Sequence, residues 1–459
     1  MAETSEFDVI VIGAGPAGEV AAGRLADGGL DVALVEKHLV AGECSYYACM
    51  PSKALLRPGE LLEEARRVPG VKEAANGELD VPSALERRDE VIHDLDDSAQ
   101  LPWLDDRGIT LLRGTGRLDG ERTVKVGEIS YTARQAVIVS TGTGAAIPPI
   151  EGIDEVDIWN NRDATTSKVQ PKSMIVLGGG PVGCELAQAW SSFGTEVTLV
   201  EPEARLLMRE EPFAGEQVAA SLQDTYGVKV VLGAGAERVS QDGDVVTVEL
   251  NDGQTLEAEK LLMATGRKPM VQGLGLESVG LEDGYIKVAE NMSVEGHDWL
   301  YAIGDINGRV LLTHIGKYQA WIASECIMGR AVAEIAEPYG SPRVTFTDPQ
   351  VAAVGITEAD ARQKGLEFDI VEVPTGATAG ASFYGKDVDG TCRLIIDRSD
   401  GTISGATFTG FETAEMIHAA TIAMVGEVPM DRLRHAVPSF PTRSEIWLRL
   451  SEKYEQQKA

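Results

Sequence analysis

The sequence predicts an α/β protein built from two related parallel-sheet folds and a smaller α+β domain. Two segments repeat one pattern: FDVIVIGAGPAGEVAAGRLADGGLDVALVEK at 7–37 and SMIVLGGGPVGCELAQAWSSFGTEVTLVEP at 173–202. In each, a β-branched strand runs into three glycines, Gly13, Gly15 and Gly18 or Gly178, Gly180 and Gly183. A helical stretch follows, and a second strand closes on an acid, Glu36 or Glu201. First glycine to acid is 36 − 13 = 23 in one copy and 201 − 178 = 23 in the other. From about residue 342 the pattern changes to strands (PRVTFTDPQVAAVGIT, CRLIIDRSDGTISGATFTG) and then amphipathic helices.

A single GxGxxG is weak evidence. Two copies with equal strand–turn–helix–strand–acid spacing are strong evidence for Rossmann-like dinucleotide-binding folds. The first glycine allows the tight turn, the second lets a pyrophosphate approach the backbone, and the third packs helix on strand. The helix N-terminus stabilises the phosphate charge, and the terminal carboxylate accepts from ribose hydroxyls. The chain is thus expected to bind two dinucleotides.

The boundaries follow from the same reading. Residues 1–150 hold the first fold, which leaves through the Pro-rich IVSTGTGAAIPPIEG. Residues 151–270 hold the second, closing at LLMATGRKP with Gly266. Residues 271–341 carry another strand–turn–helix stretch, and 342–459 form the α+β domain.

Composition excludes several classes. The 72 acidic against 41 basic residues give a net charge of −31, which argues against a nucleic-acid partner because phosphate binding needs basic surface. Five cysteines in 459 residues are not a secreted disulfide framework. The start MAETSEFDVIVIG is acidic where a signal peptide is basic. No apolar run reaches the roughly 20 residues of a membrane span. A cytoplasmic protein without membrane association is expected.

Cys44 and Cys49 lie in GECSYYACMPSKALL, just ahead of a helical run. In a regular helix, Cα atoms five residues apart are about 8 to 9 Å from each other. A disulfide needs about 7 Å or less. If bonded, the two cysteines cannot share one regular helix. Pro51 suits a first helical turn, so the helix should begin near Cys49 with CSYYA as a distorted lead-in. That position stabilises a Cys49 thiolate by the helix dipole. A zinc clip needs two further ligands, and Cys184, Cys326 and Cys392 are scattered without metal spacing. No metal site is expected. A redox pair beside two dinucleotide folds suggests electron relay.

GAGPAG with Glu36, CSYYACMPSK, GGGPVGCEL, ATGRKP, YAIGD, FTDPQVAAVG and FPTRSE together resemble the pyridine nucleotide-disulfide oxidoreductases. These flavoproteins include dihydrolipoamide dehydrogenase, glutathione reductase and mercuric reductase. The resemblance spans nearly the whole chain. It implies FAD on the first fold, NADH or NADPH on the second, and a homodimer made by the third domain. It also implies that 271–341 return to the FAD fold, with Asp305 of AIGD on the ribityl chain. By the same resemblance Cys49 lies against the flavin as the charge-transfer thiolate, and Cys44 is the interchange thiol facing substrate. Hydride passes from nicotinamide to flavin N5, and the electron pair then reduces a Cys44–Cys49 disulfide. Lys53 matches the lysine near N5 and Glu185 its ion-pair partner. The helix beginning around 312–314 points its N-terminus at the flavin. Glu201 favours NADH over NADPH, with Arg205 close enough to soften the preference.

One departure bears on function. The family's disulfide reductases end in His-Pro-Thr-x-x-Glu, whose histidine shuttles the substrate proton and whose glutamate orients it. Here Pro441, Thr442 and Glu445 fit, and Phe440 stands in the histidine place. His435 lies five residues earlier, and a helix-end or surface histidine is its ordinary reading. SEKYEQQKA has no thiol and no metal-binding stretch precedes the first fold, so mercury is not the expected acceptor. The implied activity is an FAD-dependent, dihydrolipoamide dehydrogenase-like NAD(P)H oxidoreductase passing electrons through Cys44–Cys49 to a small-molecule acceptor. One alternative is a quinone or metal-ion reductase in which the histidine is lost. A catalytically silent flavoprotein is a third, and a silent protein needs neither thiol.

Overall fold

The computed structural model describes residues 5–337, 339–385 and 390–459. The chain divides into two compact units. One comprises Met1–Pro51, Asp89–Ala145 and Arg267–Glu337, the other Ser52–Arg88, Ala146–Gly266 and Pro338–Ala459.

The first unit is built on a seven-stranded sheet. Ser5–Ile12 pairs in parallel with Val32–Glu36 and with Ile129–Val139, and Val32–Glu36 pairs with Thr110–Arg113. Leu300–Ala302 adds in parallel to Ile129–Val139, so the chain after 270 returns to this sheet. The antiparallel strands Thr123–Val126 and Gly116–Leu118 complete it. Every residue of Val32–Glu36 is buried, as expected of a strand covered on both faces. The pleat sorts the side chains. Val9, Val11 and Leu34 pack with Leu25, Ala320 and Ile322 from the Pro16–Asp27 and Thr313–Ile327 helices. Ile10, Ile12 and Val35 face a second core with Val137, Leu276 and Ile306.

The second unit carries the repeat. Ser173–Leu177, Glu196–Glu201, Lys229–Leu232, Lys260–Met263 and Ile158–Trp159 form an all-parallel five-stranded sheet. Met174, Val176 and Leu199 pack on Ala187, Trp190 and Val218, while Ile175, Leu177 and Val200 pack on Val246 and Val248. Those valines belong to an antiparallel meander of Ala236–Asp242, Val245–Leu250 and Thr255–Ala258. The C-terminal part is antiparallel, ordered Arg343–Thr345, Gln350–Gly355, Ile403–Gly410, Thr391–Asp397, Phe368–Pro374. The Thr413–Val425 and Ile446–Lys458 helices lay Met416, Ile417, Ile446 and Leu450 on its Leu394 and Phe408. The α/β class with a C-terminal α+β part is what the sequence predicts.

Candidate functional site

The two glycine turns are built alike. Gly13 and Gly178 have φ of +101° and +111°, a region costly for residues with a Cβ. A Cβ on Gly18 would run into the Gly13 carbonyl oxygen, and one on Gly183 into that of Gly178. Gly15 and Gly180 are the N-caps of the Pro16–Asp27 and Pro181–Ser192 helices and face open space, with no side chain capping either helix. The backbone N–H groups at both ends are thus presented to whatever enters.

The terminal acids are held against these turns. Glu36 accepts from Ala14 N–H at 2.8 Å and His38 N–H at 2.7 Å. Glu201 accepts from Gly179 N–H at 2.6 Å and Glu203 N–H at 3.0 Å. Each carboxylate is fixed at its strand end and keeps lone pairs for a further donor. Arg205 does not reach toward Glu201: its guanidinium donates to the carbonyls of Leu206, Leu207 and Met208 at 3.4, 3.0 and 2.9 Å.

In the first unit Asp305, in the Gly304–Asn307 turn, accepts from the Thr143 hydroxyl at 2.6 Å. Arg267 Nε donates to the same hydroxyl at 2.6 Å, and its Nη2 to the Thr143 carbonyl at 2.8 Å. The sequence reading names Asp305 and misses Thr143 and Arg267, although both sit in the strand pair Thr143–Ala145 and Arg267–Pro269. In the second unit Gly266 has φ +131° and its carbonyl accepts from Ala146 N–H at 2.9 Å.

The cysteines occupy two helices. Cys44 lies in the single turn Gly42–Tyr46, which breaks at Tyr47 (φ −132°, ψ −6°), and Cys49 opens Cys49–Arg67. The distorted lead-in and the helix start agree with expectation. Both sulfurs gather on a residue the sequence reading did not single out. Thr313 Oγ1 donates to Cys44 Sγ at 3.2 Å and lies 3.6 Å from Cys49 Sγ. Thr313 begins the Thr313–Ile327 helix, again without a side-chain cap. The adjacent Cys49 sulfur and burial push the Cys44 thiol up, while the Thr313 hydroxyl holds it back.

In the second unit Lys53 Nζ donates to Glu185 Oε2 at 2.6 Å, and Glu185 Oε1 accepts from Phe346 N–H at 2.9 Å. Glu185 is 5% exposed, and Lys53 lies over the Phe346 ring, 4.8 Å from its centroid.

The C-terminal candidates are not brought together. Glu445 is buried and accepts from Thr442 N–H at 2.9 Å and Gly380 N–H at 3.1 Å, so it closes a capping box. Phe440 is 78% exposed in the single chain, and His435 is exposed. Among the described residues no group of three or more His, Cys, Asp or Glu is placed to hold a metal ion, and no helix is long and apolar enough to cross a membrane.

Residues 7–321 match the family described as pyridine nucleotide-disulphide oxidoreductase, and 341–450 match its dimerisation domain. The chain is 34% identical over 455 residues to a dihydrolipoyl dehydrogenase of Chlorobaculum tepidum, covering 96% of this chain and 95% of that one. It is 30% identical over 454 residues to a mercuric reductase of Bacillus cereus, covering 96% of this chain and 70% of that one. The copper(II) complex of RclA, an HOCl-induced flavoprotein disulfide reductase of Escherichia coli, superimposes with TM-score 0.87 at 26% identity, over 98% of this chain and 99% of that one. With these matches running from the first strand into the last helix, the protein belongs to the pyridine nucleotide-disulphide oxidoreductase family, FAD-dependent enzymes that use a pyridine nucleotide.

Proposed function

We propose that this enzyme takes electrons from NADH, in preference to NADPH, and passes them through FAD and a Cys44–Cys49 redox pair to a small-molecule acceptor. The observation that carries this reading is the gathering of both sulfurs on Thr313, with Cys49 at the start of a helix. A structural thiol pair has no need of that placement.

The residues fit the two cofactors. Gly15 and Gly180 leave open space in front of uncapped helix ends, where a Cβ would intrude on a pyrophosphate. In this reading residues 1–150 with 271–341 hold FAD, 151–270 hold the nicotinamide nucleotide, and 342–459 make a homodimer. FAD, when bound, supplies two-electron chemistry between a reduced nicotinamide and a disulfide. Glu36 would accept from its ribose, and Asp305, steadied by Thr143, would accept from its ribityl chain. Gly13 and Gly18, like Gly178 and Gly183, keep the turns tight, and Gly266 keeps backbone close at the nucleotide fold. Glu201 would accept from the nicotinamide-side ribose, and the Arg205 guanidinium, which donates to three carbonyls, is not hydrogen-bonded to it. Lys53 is oriented by Glu185 and takes the role that the family resemblance gives it. Cys49 is held as the thiolate by its helix N-terminus, and Cys44 is the nucleophile toward substrate.

The acceptor has a second reading. Phe440 stands where a proton-shuttling histidine serves disulfide substrates, and a metal ion or quinone needs less of that service. A mercuric reductase among the relatives and the copper(II) complex of RclA favour a metal acceptor.

Two measurements test the reading. NADH titration of the flavin-loaded protein should give a long-wavelength thiolate–flavin absorbance that Cys49→Ser abolishes; an unchanged band rejects the role of Cys49. NADH oxidation against lipoamide, glutathione disulfide, a quinone and a copper(II) salt then identifies the acceptor, and silence toward all four would favour a binding role.

A further inference from the structure

We infer that Thr313 is a single-residue proton relay between the two thiols. This rests on the reading of Cys44 and Cys49 as a redox pair. The argument starts from the hydroxyl's valence. Thr313 has one proton to give and two lone pairs to accept with. It gives the proton to Cys44 Sγ at 3.2 Å, which leaves its oxygen free to accept from a Cys49 S–H at 3.6 Å. The Thr313 hydroxyl thus touches both sulfurs, which also hydrogen-bond directly to each other, and one proton arrangement through it runs Cys49 S–H to Thr313 O–H to Cys44 S⁻.

Reversing that chain balances without any other reactant. The Cys49 thiol gives its proton to Thr313 oxygen as the Thr313 proton moves to the Cys44 sulfur. The products are a Cys49 thiolate, an intact hydroxyl and a Cys44 thiol. The dithiol with one negative charge thus has two forms, one with the charge on Cys44 and one with it on Cys49. No residue outside the pair has to gain or lose a proton.

Charge around the site leaves room for this. The surrounding elements carry further ionisable groups, among them Glu43 and Tyr46 on the Cys44 helix, Lys53 on the Cys49 helix, Glu19 and Arg24 on Pro16–Asp27, and His314, Lys317 and Tyr318 on Thr313–Ile327. Of side chains, Cys49 and Thr313 are the ones that move the Cys44 thiol, Cys49 and burial upward and Thr313 downward. Removing the hydroxyl removes the one side chain favouring a Cys44 thiolate.

The test uses the flavin-loaded protein with its dithiol reduced. The rate of Cys44 alkylation by iodoacetamide is followed against pH by mass spectrometry of the Cys44 peptide, and thiols are counted before and after reduction. Thr313→Val should lower Cys44 alkylation at neutral pH by about tenfold and move its pH midpoint up, since a hydrogen bond to a charged group is lost. Thr313→Ser should stay within about twofold of the wild type, because it keeps the hydroxyl. A wild-type profile in Thr313→Val overturns the relay. So does a Thr313→Ser profile as impaired as that of Thr313→Val, which would assign the effect to packing. If Thr313→Val loses flavin, Thr313→Ala against Thr313→Ser gives the same comparison. A thiol count unchanged by reduction would reject the redox pair itself, a result separate from the pH profile.

Discussion

Glu185 binds Lys53 on one carboxylate oxygen at 2.6 Å and the Phe346 backbone N–H on the other at 2.9 Å, so one buried acid ties the Cys49–Arg67 helix to the turn before Gln350–Gly355. Lys53→Met leaves Glu185 buried without its cation. The cost should be roughly 1–2 kcal/mol, below that of a fully buried pair because Lys53 is partly solvated. Thermal unfolding of flavin-loaded protein reads it. Glu185→Gln should cost less, since the amide oxygen still accepts from Phe346. Both variants should also slow flavin bleaching by NADH in stopped flow. A bleaching rate unchanged in Lys53→Met would remove Lys53 from the chemistry.

Nucleotide preference should follow Glu201. A 2′-phosphate at this carboxylate meets like charge worth on the order of 1 to 4 kcal/mol depending on exposure. NADPH should therefore show a Michaelis constant about tenfold or more above that of NADH. Glu201→Gln keeps an oxygen for Gly179 N–H while losing the charge, and should narrow the gap. An NADPH constant below that of NADH in the wild type would overturn the assignment.

Placing histidine at 440 should raise disulfide turnover without a stability penalty. Phe440 is 78% exposed in the single chain, so Phe440→His should change unfolding free energy by no more than about 0.5 kcal/mol. Lipoamide reduction should rise ~10-fold if the imidazole reaches the interchange thiol. Glu445 is committed to Thr442 and Gly380, which favours a preserved loop. Ordinary lipoamide turnover in the wild type that collapses in His435→Ala would transfer the base to His435.

Glu19 should make the protein less stable as pH rises. Burial lifts its carboxyl from 4.5 to about 7, with Lys317 opposing and Glu36 adding. Between those values the folded chain holds the proton more tightly than the unfolded chain, so stability is greatest below the unfolded value and is lost toward the folded one. Glu19→Gln should flatten this slope, gaining on the order of 1–3 kcal/mol near pH 8 relative to pH 4. Denaturant unfolding of flavin-loaded protein at both pH values checks it, and parallel wild-type and variant curves would contradict it.

Much of the architecture is local information. The glycine turns, their acids at a spacing of 23 and the helix start at Cys49 depend on residues close in sequence. Gly13 needs a positive φ whatever lies elsewhere, and a buried parallel strand such as Val32–Glu36 is apolar throughout. The sequence by itself determined the two dinucleotide folds, the α+β end, the cysteine pair and the family. It could not supply contacts between distant residues. Thr313 is 269 residues from Cys44 and carries no periodic or motif signal of its own, so only the tertiary fold joins them. The same holds for Thr143 on Asp305, 162 residues apart, whereas the Lys53–Glu185 pair, 132 apart, was legible through the family resemblance. Arg205 beside Glu201 reads from sequence as a softening cation, and the folded loop turns its guanidinium onto three carbonyls instead. A hydroxyl or guanidinium commits its few hydrogen bonds to whichever partners packing brings within 3 Å or so, and packing is a property of the whole chain.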